Sequence, residues 1–488
     1  MTIRPTLEEV RQIAAAGQYS VVPVSCEILS DFTTPIETVR ILKNVSTHCY
    51  MLESARADEK WGRYTFLGFD PKLEITCING RMKAGSLSFD TDDPSSYLRQ
   101  ILASRKSPRF DYLPPFTGGL VGYFSYDYLA YSEPAVKCDV EDTEAFKDVD
   151  LMLFDKVIAF DNLRQKIVLI VNMSLEDPET GYNKAVLELK QLKTLLRHGP
   201  KKTEAPGRLT GDVEPLFSRE RFCEMVEKAE RHIADGDVFQ VVLSNRLQAP
   251  FEGSLLDTYR ILRTINPSPY MFYFSGTDVE VAGASPETLV KLDNGVVYTY
   301  PLAGSRPRGK TEAEDRALEA ELLADEKELA EHNMLVDLGR ADLGRICRFG
   351  TVRVEKLHAI ERYSHIMHIG STVRGEIRED CDAIDAIEAV MPAGTLSGAP
   401  KIRACQLIGE LENSKRGIYG GAIGYIDFTG NMDTCIAIRL AYKKNGKVFV
   451  RSGAGLVLGS DPGTEYQESV NKAGAALKAL TIAQEEDL

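Results

Sequence analysis

G-G-A-I-G-Y-I-D-F-T-G-N-M-D-T-C-I-A-I-R-L-A-Y-K-K-N-G-K-V-F-V-R-S, residues 420–452, contains three extended runs, at 420–427, 435–442 and 447–452, with glycines in the first and between the others. A segment with helical spacing, 464–483, follows them. Upstream, extended runs at 240–247, 270–274, 279–284 and 289–292 lie between a helix-like start near Ser218 and a long helix-like block at 312–343. Strands and helices mix without a steady strand–helix–strand period. That pattern predicts an α+β fold with a largely antiparallel sheet.

The segment 6–196 reads in the same way. A helix is expected at 7–16 and extended runs at 21–28 and 73–79. The runs 157–159 and 167–172 flank Asp161 and Asn162 as a hairpin. Val186, Leu189, Leu192, Leu195 and Leu196 fall at helical spacing. Residues 197–217 are rich in Pro, Gly and charge with no apolar period, and read as a linker. The chain therefore divides into an N-terminal segment (6–196), a linker (197–217) and a C-terminal segment (218–482). Ser218 is a candidate helix cap with Arg221 at the third helical position, and D-G-D at 235–237 stops that helix.

The chain has 488 residues, more than one ordinary core holds. Its formal charge of −14, with no basic run longer than the Lys201–Lys202 pair, argues against a nucleic-acid partner. The nine cysteines stand singly, with no C-x-x-C pair, so neither a disulfide framework nor a zinc ribbon is expected. No apolar run reaches the roughly 20 residues of a spanning helix, and the first residues lack a signal-peptide core. The expected location is the reducing cytoplasm, with no membrane partner.

Several stretches carry chemistry. Glu328 and Glu331 lie three apart on one helix-like segment, and Glu465 and Glu468 on another. Facing each other, the two segments would offer hard oxygen ligands to one Mg²⁺, with water and a substrate carboxylate completing the shell; on their own, such pairs are common on solvated helix faces. R-S-G-A-G-L-V-L-G, 451–459, reads as a glycine loop; it is a poor dinucleotide fingerprint, but its glycines allow an anion to approach the backbone. Arg439 on the preceding strand would add a bidentate partner. His365 and His368 stand at a strand end, either as hydrogen-bonding residues or as a general acid or base. Glu287, in A-S-P-E-T, is a turn glutamate unless its surroundings are dry enough to raise its pKa. In T-Y-P-L-A-G-S-R-P-R-G, 299–309, Arg306, Arg308 and Gly309 around Pro307 read as an anion clamp.

Taken together, P-L-A-G-S-R-P-R-G, E-L-A-E-H-N-M-L-V-D-L-G-R-A-D, H-I-M-H-I-G-S-T-V-R-G, P-A-G-T-L-S-G-A-P-K, R-G-I-Y-G-G-A-I-G-Y and R-S-G-A-G-L-V-L-G-S-D-P closely resemble the chorismate-utilising enzymes, in particular component I of anthranilate synthase. They span about residues 218–480 in the family's order. M-L-E-S-A (51–55) and W-G-R-Y-T-F-L-G (61–68) extend the likeness more weakly.

The resemblance implies a two-lobed α+β sandwich of largely antiparallel sheets flanked by helices, with the site in a cleft. It implies that Glu331 and Glu468 ligate Mg²⁺, with Glu328 and Glu465 close by. Tyr419, Arg439 and the amides of Gly453, Ala454 and Gly455 would hold a chorismate carboxylate, and Gly304 and Ser305 would touch the substrate. Ser305 replaces the family's usual Thr and keeps the hydroxyl. Glu287, His368 and Thr395 would carry the chemistry: ammonia adds at C2 as the C4 hydroxyl leaves, then pyruvate is eliminated. Relatives that add water carry a Lys base where this chain has Gln240, and Gln cannot deprotonate water. Aminodeoxychorismate synthase component I, the alternative reading, carries a nucleophilic Lys where this chain has Ala303. No cysteine lies in a glutaminase-type turn. The resemblance thus implies a separate glutaminase subunit, in a heterotetramer of two large and two small chains. It also implies feedback inhibition by tryptophan at Glu53, Ser54, Lys60, Asn266, Pro269, Tyr270 and Met271.

Overall fold

The computed structural model describes residues 1–55, 62–137, 139–486 and 488. Among these, two large sheets built from antiparallel pairs face each other. In the first, the order runs Val21–Leu29, Lys166–Ser174, Lys156–Asp161, Tyr64–Phe69, Cys49–Glu53, Tyr270–Ser275, Glu280–Ser285, Leu440–Lys444, Lys447–Leu456, Gln240–Glu252. In the second, Leu302–Pro307, Ile366–Glu376, Val296–Thr299, Thr288–Asp293, Met432–Ile436, Ala422–Asp427, Gly119–Phe124, Val149–Phe154 and Leu73–Ile78 follow one another. Strands from before residue 197 and after residue 217 share both sheets. They meet where Met271 pairs with Glu53, and where Gly424 pairs with Gly122. Within 197–217, Arg208–Leu209 and Glu214–Pro215 pair with the Gln240 strand.

An aromatic layer fills the space between the sheets. Tyr50, Phe66, Phe116, Tyr123, Phe154, Phe272, Phe274, Tyr425, Tyr442 and Phe449 come from both and are buried. Phe116 is fully enclosed, with ring centroids of Tyr425, Phe66 and Tyr50 at 4.4, 5.6 and 6.4 Å. Helices cover the outer faces. Pro178–His198, Leu256–Ile265 and Pro462–Glu485 pack on the first sheet; Pro94–Ala103, Glu326–Gly344 and Ala383–Val390 pack on the second. No helix among the described residues is long and apolar enough to cross a membrane.

The expected helices at 7–16 and around 186–196 are present, as is the hairpin joining Lys156–Asp161 to Lys166–Ser174. Ser218 caps its helix by accepting from the Arg221 amide. Three expectations change. The block 312–343 is two helices, Glu312–Ala324 and Glu326–Gly344, because the Asp325 side chain accepts from the Lys327 and Glu328 amides and starts a new helix. The run 435–442 is two strands in different sheets, divided at Arg439, whose φ of 53° is left-handed. The glycine stretch near 453 is strand rather than loop: Gly453, Ala454 and Gly455 pair with Ser244, Leu243 and Val242.

The chain steps from one sheet to the other between Ser285 and Thr288, and again between Ile436 and Leu440. These crossings are bonded together: the Ile436 amide donates to the Glu287 carbonyl at 3.0 Å, and the Ala284 amide to the Arg439 carbonyl at 3.1 Å.

Phe116→Ala is expected to cost about 3–5 kcal/mol in a denaturant titration, as for other large-to-small aromatic changes in packed cores. A loss below about 1 kcal/mol would show that the inter-sheet layer collapses around the gap.

Candidate functional site

Gly304 is an extra residue in its strand. Ala303 pairs with Ile369 and Ser305 with His368, so Gly304, at φ +82°, forms a bulge. A side chain there would be strained, and its Cβ would stand 3.0 Å from Ile369 and 3.2 Å from a Glu328 oxygen. The bulge turns a Gly304 backbone group onto the His368 ring. Nε2 of His368 is buried with no partner among the described residues, so Nδ1 makes that bond and Nε2 keeps a free lone pair. Burial, then the Arg439 charge, push this histidine down to about 4, so it is neutral at pH 7. The arginines downstream are not an anion clamp. Arg306 pairs with Glu321 and Asp325 at 2.9 and 2.8 Å, and Arg308 with Asp315 at 2.7 Å, fastening the strand to the helix region beside it.

Glu287 lies in the first crossing and is 9% exposed. Burial pushes its carboxyl up to about 8, against the lowering effects of the Thr395 hydroxyl, the Arg439 charge and the Leu302 amide. The Thr395 hydroxyl lies 3.3 Å from a Glu287 oxygen, on the single turn Gly394–Leu396. Arg439, in the second crossing, has its pKa lowered by burial. Among the described residues, no carboxylate comes within ion-pair distance of it. Arg439, His368, Glu468, Tyr363, Pro286 and Asn266 border one cavity of about 370 Å³.

Tyr419 and Gln240 explain the neighbouring glycines. A Cβ on Gly453 would stand 2.9 Å from the Tyr419 hydroxyl, and one on Gly455 would stand 2.8 Å from the Gln240 amide nitrogen. The bare strand lets both polar groups lie against it. Leu440–Lys444 pairs with the same strand at Lys447, Val448 and Phe449, so among the described residues no strand covers the other edge at 453–455. Burial pushes the Tyr419 phenol up to about 12, which keeps it a donor.

The carboxylate pairs project from the starts of two helices. Gln240 donates to Glu331 at 3.4 Å, and Lys472 pairs with Glu468 at 2.6 Å. Burial first and Glu331 second raise Glu328; burial first and Glu468 second raise Glu465. Lys327 of one helix acts on Glu465 of the other, so the two starts lie near each other. Among the described residues, no three His, Cys, Asp or Glu side chains form a ready-made metal cage. What is present is an array of mutually repelling hard oxygens, with Glu465 Oε2 buried and unpartnered. That fits a small hard cation which keeps its waters and accepts a substrate oxygen.

A second cavity, of about 110 Å³, lies between the sheets and gathers Glu53, Ser54, Pro269, Tyr270 and Met271 against Tyr64 and Tyr425. Arg263 holds Glu53 at 2.6 Å, and the Tyr259 hydroxyl donates to it. Asn266 lies elsewhere, on the first cavity, with its Nδ2 unpartnered. Lys60 lies outside the described residues.

The profile of the chorismate binding enzyme family matches residues 47–478. The chain belongs to the chorismate binding enzymes. Anthranilate synthase component 1 of Acetivibrio thermocellus is 44% identical to it over 99% of both chains, and that of Pseudomonas aeruginosa is 42% identical over 98% of this chain and 99% of its own. The crystal structure of anthranilate synthase component I from Streptococcus pneumoniae superposes with a TM-score of 0.75 at 37% identity, covering 92% of this chain and 98% of that one. The menaquinone-specific isochorismate synthase of Escherichia coli shares the fold, at TM-score 0.69 and 19% identity over 97% and 98% of the chains.

In this member of the family, one site contact has no counterpart in the motif reading. His332, fully buried beside Glu331, joins its helix to the bulged strand. The His358 amide donates to Ser371 Oγ at 3.1 Å, and the Ser371 hydroxyl donates to His332 Nε2 at 2.6 Å. Nδ1–H of His332 then donates to the Ala303 carbonyl at 3.2 Å. This proton order uses each group once and keeps the ring neutral. The only sequence cue is a histidine on the helix face that carries apolar Leu335 and Val336.

His368 also affects stability. With its pKa depressed to about 4 in the folded chain, the unfolded chain binds more protons between that value and about 6.5. Stability from this residue is therefore present above about pH 6.5 and is lost as the pH falls toward 4. The stability of the parent minus that of His368→Gln should shrink on acidification through this window, measured by denaturant titration at several pH values. A difference independent of pH would show that the ring titrates normally.

Proposed function

We propose that the chain is the chorismate-consuming large component of an anthranilate synthase, forming anthranilate and pyruvate from chorismate and ammonia. The observation that carries the reading is Glu287: a carboxyl still protonated near neutral pH, beside a neutral histidine and an arginine that has no carboxylate partner among the described residues. Departure of the C4 hydroxyl needs a proton donor, and a carboxyl raised to about 8 is one at pH 7. Arg439, Tyr419 and the open strand edge at 453–455 offer donors for a substrate carboxylate. Gly304 and Ser305 form the facing wall. The free lone pair on His368 can take the proton released as pyruvate leaves.

Glu331 and Glu468 are the residues that would hold Mg²⁺, with Glu328 and Glu465 behind them. Bound there, the ion would neutralise and polarise the ring carboxylate. Gln240 donates to Glu331 and has no basic nitrogen, which supports ammonia over activated water as the nucleophile. Ala303 offers a methyl where the aminodeoxychorismate-type alternative requires an amine. Ammonia would come from a separate glutaminase subunit in a heterotetramer. The pocket between the sheets, with its aromatic rim and paired charges, suits tryptophan as a feedback inhibitor.

Purified chain given chorismate, Mg²⁺ and an ammonium salt at alkaline pH should produce anthranilate fluorescence without glutamine. Accumulation of an amino-chorismate alone would reverse the assignment in favour of the aminodeoxychorismate reading. Under saturating ammonia, kcat should decline as pH rises past about 8, because Glu287 is then deprotonated. Glu287→Gln should lower kcat by about 10²–10⁴-fold, the usual range for losing a general acid.

For the regulatory pocket, Ser54→Phe should abolish tryptophan inhibition while ammonium-dependent kcat stays within about twofold, since Ser54 borders the inter-sheet cavity and not the cavity of Arg439 and His368. Retained inhibition would place the effector elsewhere.

A further inference from the structure

Arg416 is among the largest fully buried side chains of the described residues, at 1% exposure, and none of the roles above uses it. Its Nη1 donates to the Leu396 carbonyl at 2.7 Å and its Nη2 to the Val242 carbonyl at 2.9 Å. Nε and Nη2 also fork onto the two oxygens of Glu412, at 3.0 and 2.8 Å. The guanidinium carbon lies 4.4 Å from the Tyr126 ring centroid and 5.6 Å from that of Tyr419. Glu412 is itself held by the Ser244 amide and hydroxyl, at 2.7 and 2.9 Å, and by Arg451 at 2.8 Å.

Each end of this hub stops one step from the site. Leu396 follows Thr395, whose hydroxyl reaches Glu287. Val242 is the register partner of Gly455. Tyr419 carries the hydroxyl that lies against Gly453. We propose that Arg416 is a positioning residue, which from behind the cavity wall fixes the Thr395 turn, the strand at 453–455 and the Tyr419 ring in one arrangement.

A guanidinium suits this role because its donors form a rigid planar fork that can satisfy two carbonyls and a carboxylate at once. Two arginines and one glutamate in a dry interior are costly, and well-packed apolar residues would often hold the same elements at least as well. The hub also carries one more positive than negative charge, an electrostatic setting that favours an anionic substrate in front of Tyr419. The inference rests on the proposed reading of the site, because Thr395, Tyr419 and the open strand edge take their importance from it.

The test uses the full chain with chorismate, Mg²⁺ and an ammonium salt. Arg416→Lys keeps the charge but cannot span both carbonyls. It should lower kcat at least tenfold while the far-ultraviolet circular dichroism stays that of the parent. The alkaline limb of kcat should move to higher pH, because a displaced Thr395 no longer favours the ionised form of Glu287. Adding Thr395→Val should then lower kcat little further, since both changes break the same link. A folded Arg416→Lys chain with parental kcat and an unmoved limb would overturn the proposal, reducing Arg416 to a structural residue. Should that variant not fold, Glu412→Gln leaves the hub's shape intact and reads the same two quantities. A smaller fall in kcat with the same direction of limb movement supports the proposal, and parental values of both overturn it. Failure of the unmodified chain to turn over chorismate would instead overturn the reading of the site, and the hub with it.

Discussion

Of the short passages of chain that cross from one sheet to the other, two carry the site. A strand that leaves its ladder must satisfy its backbone groups elsewhere. Here the passages satisfy each other, through the Ile436 amide on the Glu287 carbonyl and the Ala284 amide on the Arg439 carbonyl. Arg439 takes a left-handed conformation to make the step, an uncommon geometry for a residue with a Cβ. The result is a carboxyl and a guanidinium at one point, each placed by backbone bonds rather than by a flexible loop. Displacing either crossing would pull strands out of both sheets, so the inter-sheet aromatic layer and the site geometry depend on each other.

Dryness at the crossings then sets the charge states. Burial removes water from Glu287, and the nearby Arg439 charge only partly offsets that penalty, so the carboxyl keeps its proton. The same burial keeps His368 neutral, and the Arg439 charge adds to the effect. One arginine therefore lowers two pKa values while itself remaining without a carboxylate partner among the described residues. At the starts of the two helices the glutamates repel each other within each pair. A partner that brings a carboxylate to the arginine and a cation to the glutamates resolves both imbalances together, as chorismate with Mg²⁺ would.

Much of this was legible from the sequence, and the failures have identifiable causes. Period and turn residues located most elements, because those signals are local. Strong helix formers on both sides of Asp325 mask its capping role, so the apolar period alone gives one helix there. The break at Arg439 was missed because nothing in C-I-A-I-R-L-A-Y marks a left-handed residue. Glycines at 453 and 455 suggested a loop, yet they serve a strand on which Tyr419 and Gln240 lie, a contact between positions far apart in the chain. Asn266 sits next to the inter-sheet residues in sequence but faces the other cavity. His332 and Arg416 carry no sequence signal because a buried polar hub has no periodic signature; only its partners, several of them from about 20 to more than 170 residues away, show what it holds.

The segment 266–271 shows how the two cavities communicate in space. Asn266, Pro267 and Ser268 border the cavity of Arg439 and His368, while Pro269, Tyr270 and Met271 border the one between the sheets. The Tyr270 hydroxyl spans the gap to the second sheet, at 2.9 Å from Thr288 and 2.7 Å from Asp433. Thr288 adjoins Glu287, and Asp433 lies on the strand that leads into the Arg439 crossing. An effector changes activity only through a difference in its affinity for two arrangements of the protein. Any arrangement that moves Tyr270 also moves the strands flanking both crossings. On the proposed reading, a ligand held between the sheets would act on the elements that position Glu287 and Arg439 without entering the cavity that Arg439 and His368 border.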